Sequence, residues 1–132
     1  MNKLLVILFL FTVSTHAQEW TRFRGPNGSG TSETDIPAKW TTDSYLWKIE
    51  LPGTGHGSPV LWEGKVFLNT SKNDGQKRLV TAIDATTGKT LWATPFESSK
   101  HKTHKHNSFA TSTPTVDAGH VFSVWGHKGE LR

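Results

Sequence analysis

The sequence predicts an all-β chain built from short antiparallel strands, and three observations lead to this prediction. The first is an internal repeat, in which a Pro, a Gly, a Val and a Phe each return after 55 residues. The second is the richness of three short runs in β-branched and aromatic residues. The third is that Gly and Pro interrupt nearly every window of helical length after residue 18. The three runs are KVFLN (65–69), RLVTAID (78–84) and HVFSVW (120–125).

The repeat has the order strand, Gly turn, strand, loop, strand, Asp-to-Gly turn, strand. A second echo relates the segment 45–47 to the segment 90–92, which predicts that Trp47 and Trp92 each end a strand. Four short strands in about 40–50 residues are the size of one β-propeller blade. We therefore expect the four-stranded blades of a β-propeller. The matched positions are Pro59 and Pro114, Gly64 and Gly119, Val66 and Val121, and Phe67 and Phe122.

Turn chemistry supports this order of elements. Glu63-Gly64 and Ala118-Gly119 place Gly where a tight hairpin needs a positive φ. In the turn that follows the run 78–84, Asp84 can accept backbone N–H bonds and Gly88 can take the left-handed conformation. Neither face of that run is strongly polar, which suits a strand covered on both sides.

The first residues have the layout of a secretory signal peptide. A short positive start, Met1-Asn2-Lys3, precedes ten unbroken apolar residues, and small residues follow at Thr15 and Ala17. A membrane anchor is the alternative, but a span needs about 20 apolar residues. We therefore predict a signal peptide over residues 1–17, cleavage before Gln18, and a periplasmic or secreted chain without a membrane span.

Composition excludes several functions. The absence of Cys removes disulfide scaffolds, Cys-ligated metals and thiol catalysis, and also lipid attachment to an N-terminal Cys. The net charge of +4, from 15 basic and 11 acidic residues, does not indicate nucleic-acid binding. A hydrolase motif is missing as well, because Pro59 replaces the second Gly of the G-x-S-x-G pattern around Ser58.

The segment IDATTGKTLW (83–92) resembles the repeat signature L-D-A-x-T-G-K-x-x-W of pyrroloquinoline-quinone (PQQ)-type β-propellers. Three further stretches resemble secreted bacterial PQQ-binding-like β-propeller repeat proteins. The resemblance implies that residues 18–132 are the N-terminal part of a propeller of seven or eight blades. We therefore expect the chain to be a fragment, an incomplete β-propeller with about two to three blades present. The three stretches are WTRFRGPNGSG (20–30), LPGTGHGSPV (51–60) and HKHNSFATSTP (104–114).

The resemblance also implies roles for individual residues. Asp84, Gly88 and Trp92 match the structural repeat motif, and Trp47 matches its tryptophan in the preceding unit. In the superfamily this tryptophan packs between adjacent blades. These four residues are therefore expected to be structural.

Two functions of different classes follow from the resemblance. The first is a noncatalytic binding or scaffold module for a protein or glycan ligand. The alternative is part of a PQQ-dependent quinoprotein oxidoreductase. We favour the module, and expect no catalytic residue, metal or cofactor in this chain. Many quinone dehydrogenases stack the cofactor on a Cys–Cys disulfide, whereas this chain has no Cys and its acids, such as Asp43 and Asp74, fall in turns. By analogy only, a role resembling that of the outer-membrane assembly propeller is also open, although that propeller is a lipoprotein.

The candidate binding segment is the loop 96–107, FESSKHKTHKHN. His101, His104 and His106 could converge on a metal, but the neighbouring lysines would repel a cation and no carboxylate follows Glu97 closely. A partner-binding loop that also includes Asn107 is the preferred interpretation, because rigid scaffolds present function on such loops. Trp125 is a second candidate, as an exposed aromatic for a glycan or peptide.

Overall fold

A computed structural model describes residues 19–125 and the backbone of residues 130 and 131. The predicted signal peptide lies outside these residues. All regular structure in the described part is β-strand or three-residue 3-10 turn, and all strand pairs are antiparallel. The all-β prediction is therefore confirmed. None of the described segments forms a helix with the length and apolar character that crossing a membrane requires. The turns are Pro26–Gly28, Thr42–Ser44 and Asn73–Gly75.

Four strands form one antiparallel sheet in the order β1-β2-β3-β4, which is the predicted blade. Because β2 and β3 pair over eight residues each, both extend beyond the apolar runs that predicted them. The register of β3 against β4 shifts once, between Ala82 and Ile83. The strands are β1 (Val60–Trp62), β2 (Lys65–Lys72), β3 (Lys77–Asp84) and β4 (Thr90–Glu97).

Burial changes across the blade. Residues 78–83 of β3 are buried in succession, which confirms that both faces of this strand are covered. In contrast, β4 is exposed at seven of its eight positions. It is an edge strand of the described sheet, and Pro95 within it is tolerated because an edge strand can leave one ladder hydrogen bond unmade.

A second repeat begins after the blade. The hairpin of β5 (Thr115–Asp117) and β6 (His120–Phe122) is followed by β7 (Val124–Trp125), which pairs with β8 (Glu130–Leu131). The β-rich run 120–125 therefore forms two short strands rather than one. The run divides at Ser123, whose buried hydroxyl turns away to bond with the blade.

Both predicted hairpin turns have the backbone that their sequence indicated. In the β1–β2 turn, Glu63 has φ of 46° and Gly64 has φ of 69°. In the β5–β6 turn, Gly119 has φ of 101°. The positive φ expected at each turn glycine is confirmed.

The two repeats share one apolar core. Val60, Phe67 and Ala82 of the blade pack with Val116 of β5, and all four are buried. Thr21, near the start of the described chain, lies beside them and accepts a backbone hydrogen bond from Val116 at 2.9 Å. The blade is thus covered on this side by the start of the next repeat.

A polar contact joins the repeats above that core. Asn69 of β2 is 1% exposed, and its Nδ2 donates to the Ser112 carbonyl at 3.1 Å. Its Oδ1 accepts from the Ser123 hydroxyl at 2.9 Å. Close by, a Cβ added to Gly57 would stand 2.4 Å from the Ser112 carbonyl oxygen, so only glycine allows this backbone approach. We call the Asn69, Ser112 and Ser123 group the inter-repeat clasp.

Candidate functional site

The turn between β3 and β4 is organised by Asp84. Its Oδ1 accepts hydrogen bonds from the backbone N–H of Thr86 at 3.1 Å and of Thr87 at 2.7 Å. The Thr87 hydroxyl donates to the same oxygen at 2.8 Å. These donors stabilise the carboxylate, so the pKa of Asp84 is lowered, mainly by the Thr87 side chain. The Asp84 carboxylate thus accepts three hydrogen bonds within its own turn.

Trp47 lies on the same turn. Its indole Nε1 donates to the Ala85 carbonyl at 2.9 Å. A Cβ added to Gly88, whose φ is +72°, would stand 2.7 Å from the ring. The prediction that Trp47 ends a strand is wrong, because residues 45–47 form no ladder and the side chain, not the backbone, makes this contact.

Trp92 has a different setting. It is the third residue of β4 rather than the end of a strand, and its ring centroid lies 5.9 Å from that of Phe67. The residue is 40% exposed. It lines a cleft of about 210 Å³ that also includes Val116 and Val121, so it stands between the blade and the β5–β6 hairpin.

Thr87→Ala tests the electrostatics of this turn. Removing the hydroxyl removes the largest cause of the lowered pKa, so we expect the Asp84 pKa to rise toward its ordinary value. In the native protein, the lowered pKa contributes stability that is present above the unfolded-state pKa and is lost as the pH falls through the folded-state value. An NMR pH titration that follows the chemical shift of the Asp84 carboxyl carbon measures this pKa in the native protein and in the variant. An unchanged Asp84 midpoint in the variant would contradict this assignment.

A comparison with protein families decides the identity of this architecture. The family model described as outer membrane protein assembly factor BamB matches residues 38–131. The matched range includes the whole blade and the strands of the second repeat. The chain belongs to this family. A search of curated proteins found no match for it.

In this BamB-family chain, the predicted binding loop is fixed at its base. The Ser98 N–H donates to the Gln76 carbonyl at 2.8 Å, and the Lys100 ammonium lies 2.9 Å from an Asp74 carboxylate oxygen. At the other end, the Ala110 carbonyl accepts from the His56 N–H at 2.9 Å. The start of the loop is therefore attached to the connection between β2 and β3, and its end is attached to the segment that precedes β1.

The three histidines do not converge. His101 is half-buried, with its ring edge-on to Phe109 at 5.1 Å and its Nδ1 3.0 Å from the Ser99 carbonyl oxygen. The ring centroids of His104 and His106 lie 5.4 Å apart with their planes inclined at 46°, and the His106 backbone N–H donates to the His104 Nδ1. Within the described chain, no group of three metal-ligating side chains is close enough to hold an ion.

Asn107 completes the loop. Its backbone N–H donates to the His104 carbonyl at 2.8 Å, and its Oδ1 accepts from the Ser108 N–H at 2.9 Å. Together with His101 it lines a pocket of about 260 Å³. His104 and His106 lie outside that lining, so the structure brings together two of the four predicted loop residues. The lining residues are Arg78, His101, Lys102, Thr103, Asn107, Ser108, Phe109 and Thr111.

Sequence reasoning missed Arg78 as a member of this site. Its side chain is 3% exposed, its Nε donates to the Gly75 carbonyl at 3.0 Å, and its guanidinium carbon lies 5.7 Å from the Phe109 ring centroid. The available signal was a charged residue at the start of an otherwise apolar strand. The expectation for Trp125 is wrong, since this residue is 3% exposed and packs on Phe96 at 5.3 Å.

Proposed function

We propose that this chain is a noncatalytic propeller module that works outside the cytoplasm and binds a protein partner through the loop that follows β4, residues 98–109. The description of its family, an outer membrane protein assembly factor, supports a protein rather than a glycan as the ligand. The order of charge, apolar run and small residues in segment 1–17 supports export.

The observation that carries the proposal is an exposed cationic loop on fixed ends. The exposed residues in the middle of the loop are Lys102, His104, Lys105 and His106, whereas its base is held by the backbone bonds and by the ion pair of Lys100 with Asp74. A rigid scaffold that presents a polar loop is the usual arrangement of a binding surface. In this proposal, partner binding uses the exposed side chains in the middle of the loop rather than those that hold its base.

The motif residues support a structural rather than a catalytic use. The Asp84 carboxylate is engaged by Thr86 and Thr87, and the Trp47 indole is engaged by Ala85. The charged side chains of Asp74 and Glu97 lie beside Lys100 and Lys77, respectively. These contacts favour the binding module over the quinoprotein alternative.

Site-specific photo-crosslinking tests the proposal. A photoreactive amino acid in place of Lys105, in cells that export the full chain, is expected to yield a discrete adduct with one protein. The matched control is the same substitution at Thr86, which is also exposed but lies in the β3–β4 turn, at the other end of β3. No adduct at position 105, or the same adduct from both positions, would refute a specific partner at this loop.

A further inference from the structure

The pocket beneath the loop is cationic. Arg78 and Lys102 line it together with His101, and its lining residues include no carboxylate. The neighbouring acids lie beside other cations, Asp74 at 2.9 Å from Lys100 and Glu97 at 3.4 Å from Lys77. The balance of charge at the pocket itself is therefore positive, which favours an anionic group.

The donors of the pocket suit a carboxylate in particular. A guanidinium offers a planar set of N–H donors that matches the two oxygens of a carboxylate. Phe109 packs against Arg78, and the Gly75 carbonyl accepts from its Nε, so the guanidinium is held in place before any ligand arrives. Because the Asn107 Oδ1 accepts from the Ser108 N–H, the amide nitrogen is the edge of Asn107 that remains to donate.

Size limits the ligand. At about 260 Å³ the pocket is below the range of about 300–1,000 Å³ that is usual for small-molecule sites. It suits one side chain rather than a whole cofactor. We infer that this pocket binds a carboxylate presented by an acidic side chain of a protein partner. The inference rests on the proposed function, and it specifies the chemistry by which the loop recognises that partner.

The experiment uses two peptides that differ in one group, acetyl-Gly-Ser-Glu-Ser-Gly-amide and its Gln counterpart. Addition of the Glu peptide to the ¹⁵N-labelled full chain is expected to shift the backbone amide signals of Arg78, Lys102 and Asn107 in a saturable way. The Gln peptide is expected to leave them in place. Free butyrate, a small molecule with one carboxylate on the same aliphatic stem, is expected to bind more weakly than the Glu peptide because it offers only the carboxylate contact.

Two variants test whether the amide shifts arise from binding in this pocket. Lys102→Gln is expected to weaken binding about threefold, as for an exposed charge pair. Asn107→Asp places a like charge at the ligand and is expected to weaken binding at least tenfold, about the lower end for such repulsion. Both positions lie in an exposed loop, so folding is preserved and is checked by circular dichroism. The matched control is Lys89→Gln, which removes an exposed lysine in the β3–β4 turn and is expected to leave the affinity unchanged.

Several outcomes would overturn the inference. Equal shifts with the Glu and Gln peptides would exclude carboxylate recognition. An equal loss of affinity for the Glu peptide in Lys102→Gln and Lys89→Gln would show only a general attraction by positive charge. Binding of free butyrate as tight as that of the peptide would remove the assignment to a partner side chain. A photo-crosslink at position 105 combined with no signal shifts from the Glu peptide would support a protein partner but refute carboxylate binding in this pocket. The two proposals can therefore fail separately.

Discussion

Asn69→Ala is expected to lower the free energy of unfolding by about 3 kcal/mol. The substitution deletes the centre of the inter-repeat clasp, which is 1% exposed and bonds to the Ser112 carbonyl and the Ser123 hydroxyl. Ser123 is itself 2% exposed, so its hydroxyl loses its partner out of reach of bulk water. An unsatisfied buried polar group costs about 1–3 kcal/mol, and the space left by the amide adds to this. Urea unfolding followed by circular dichroism measures the change.

A double-mutant cycle separates the clasp from a general loss of packing. Ser123→Ala alone removes one donor, and the double variant Asn69→Ala/Ser123→Ala leaves no unpaired hydroxyl at this position. We therefore expect the double variant to lose less stability than the sum of the two single variants, with a coupling of about 1 kcal/mol. Additive losses would contradict an energetic role for this contact.

Gly88→Ala is expected to lower the free energy of unfolding by about 3 kcal/mol as well. Its φ of +72° is in the left-handed region, which costs a residue with a Cβ about 1–2 kcal/mol. The new Cβ would also stand 2.7 Å from the Trp47 ring. The indole must then move, and it loses its hydrogen bond to Ala85, worth about 1 kcal/mol.

Gly64→Ala is the matched control for this prediction. Gly64 has nearly the same φ, +69°, but a Cβ there would meet no atom within 4 Å. This variant is expected to show the backbone cost alone, about 1 kcal/mol. Urea unfolding of both variants gives the difference, which is the contribution of the Trp47 contact. Equal destabilisation by the two substitutions would show that the indole adds nothing to the turn.

The position of the candidate loop could be predicted from the sequence, but the set of residues that line its pocket could not. The histidine-rich loop was evident because Lys and His cluster in one polar segment between two strand-forming runs. The pocket was not, because it also requires Arg78, which lies more than twenty residues earlier in β3. The folded path of the loop near Phe109 decides which loop residues line the pocket. His104 and His106 matched the same pattern as His101 but turn toward each other instead.

The sequence by itself determined the features that depend on nearby residues. Alternating and β-branched residues specified the strands, a Gly at positive φ specified each hairpin, and Asp84 specified the β3–β4 turn through bonds to residues two and three positions ahead. These interactions require no distant partner, so their signal remains within a short window. The family signature is readable for the same reason.

Only the tertiary structure decided which distant residues meet. Trp47 donates to a carbonyl 38 residues away, and Ser123 bonds to Asn69 across 54 residues. The second contact also divides a run that local propensity predicts to be one strand. A buried polar side chain must find a partner wherever the folded chain supplies one, because leaving it unpaired costs more than interrupting a strand at an exposed end. That requirement acts through space, and no short window of sequence contains it.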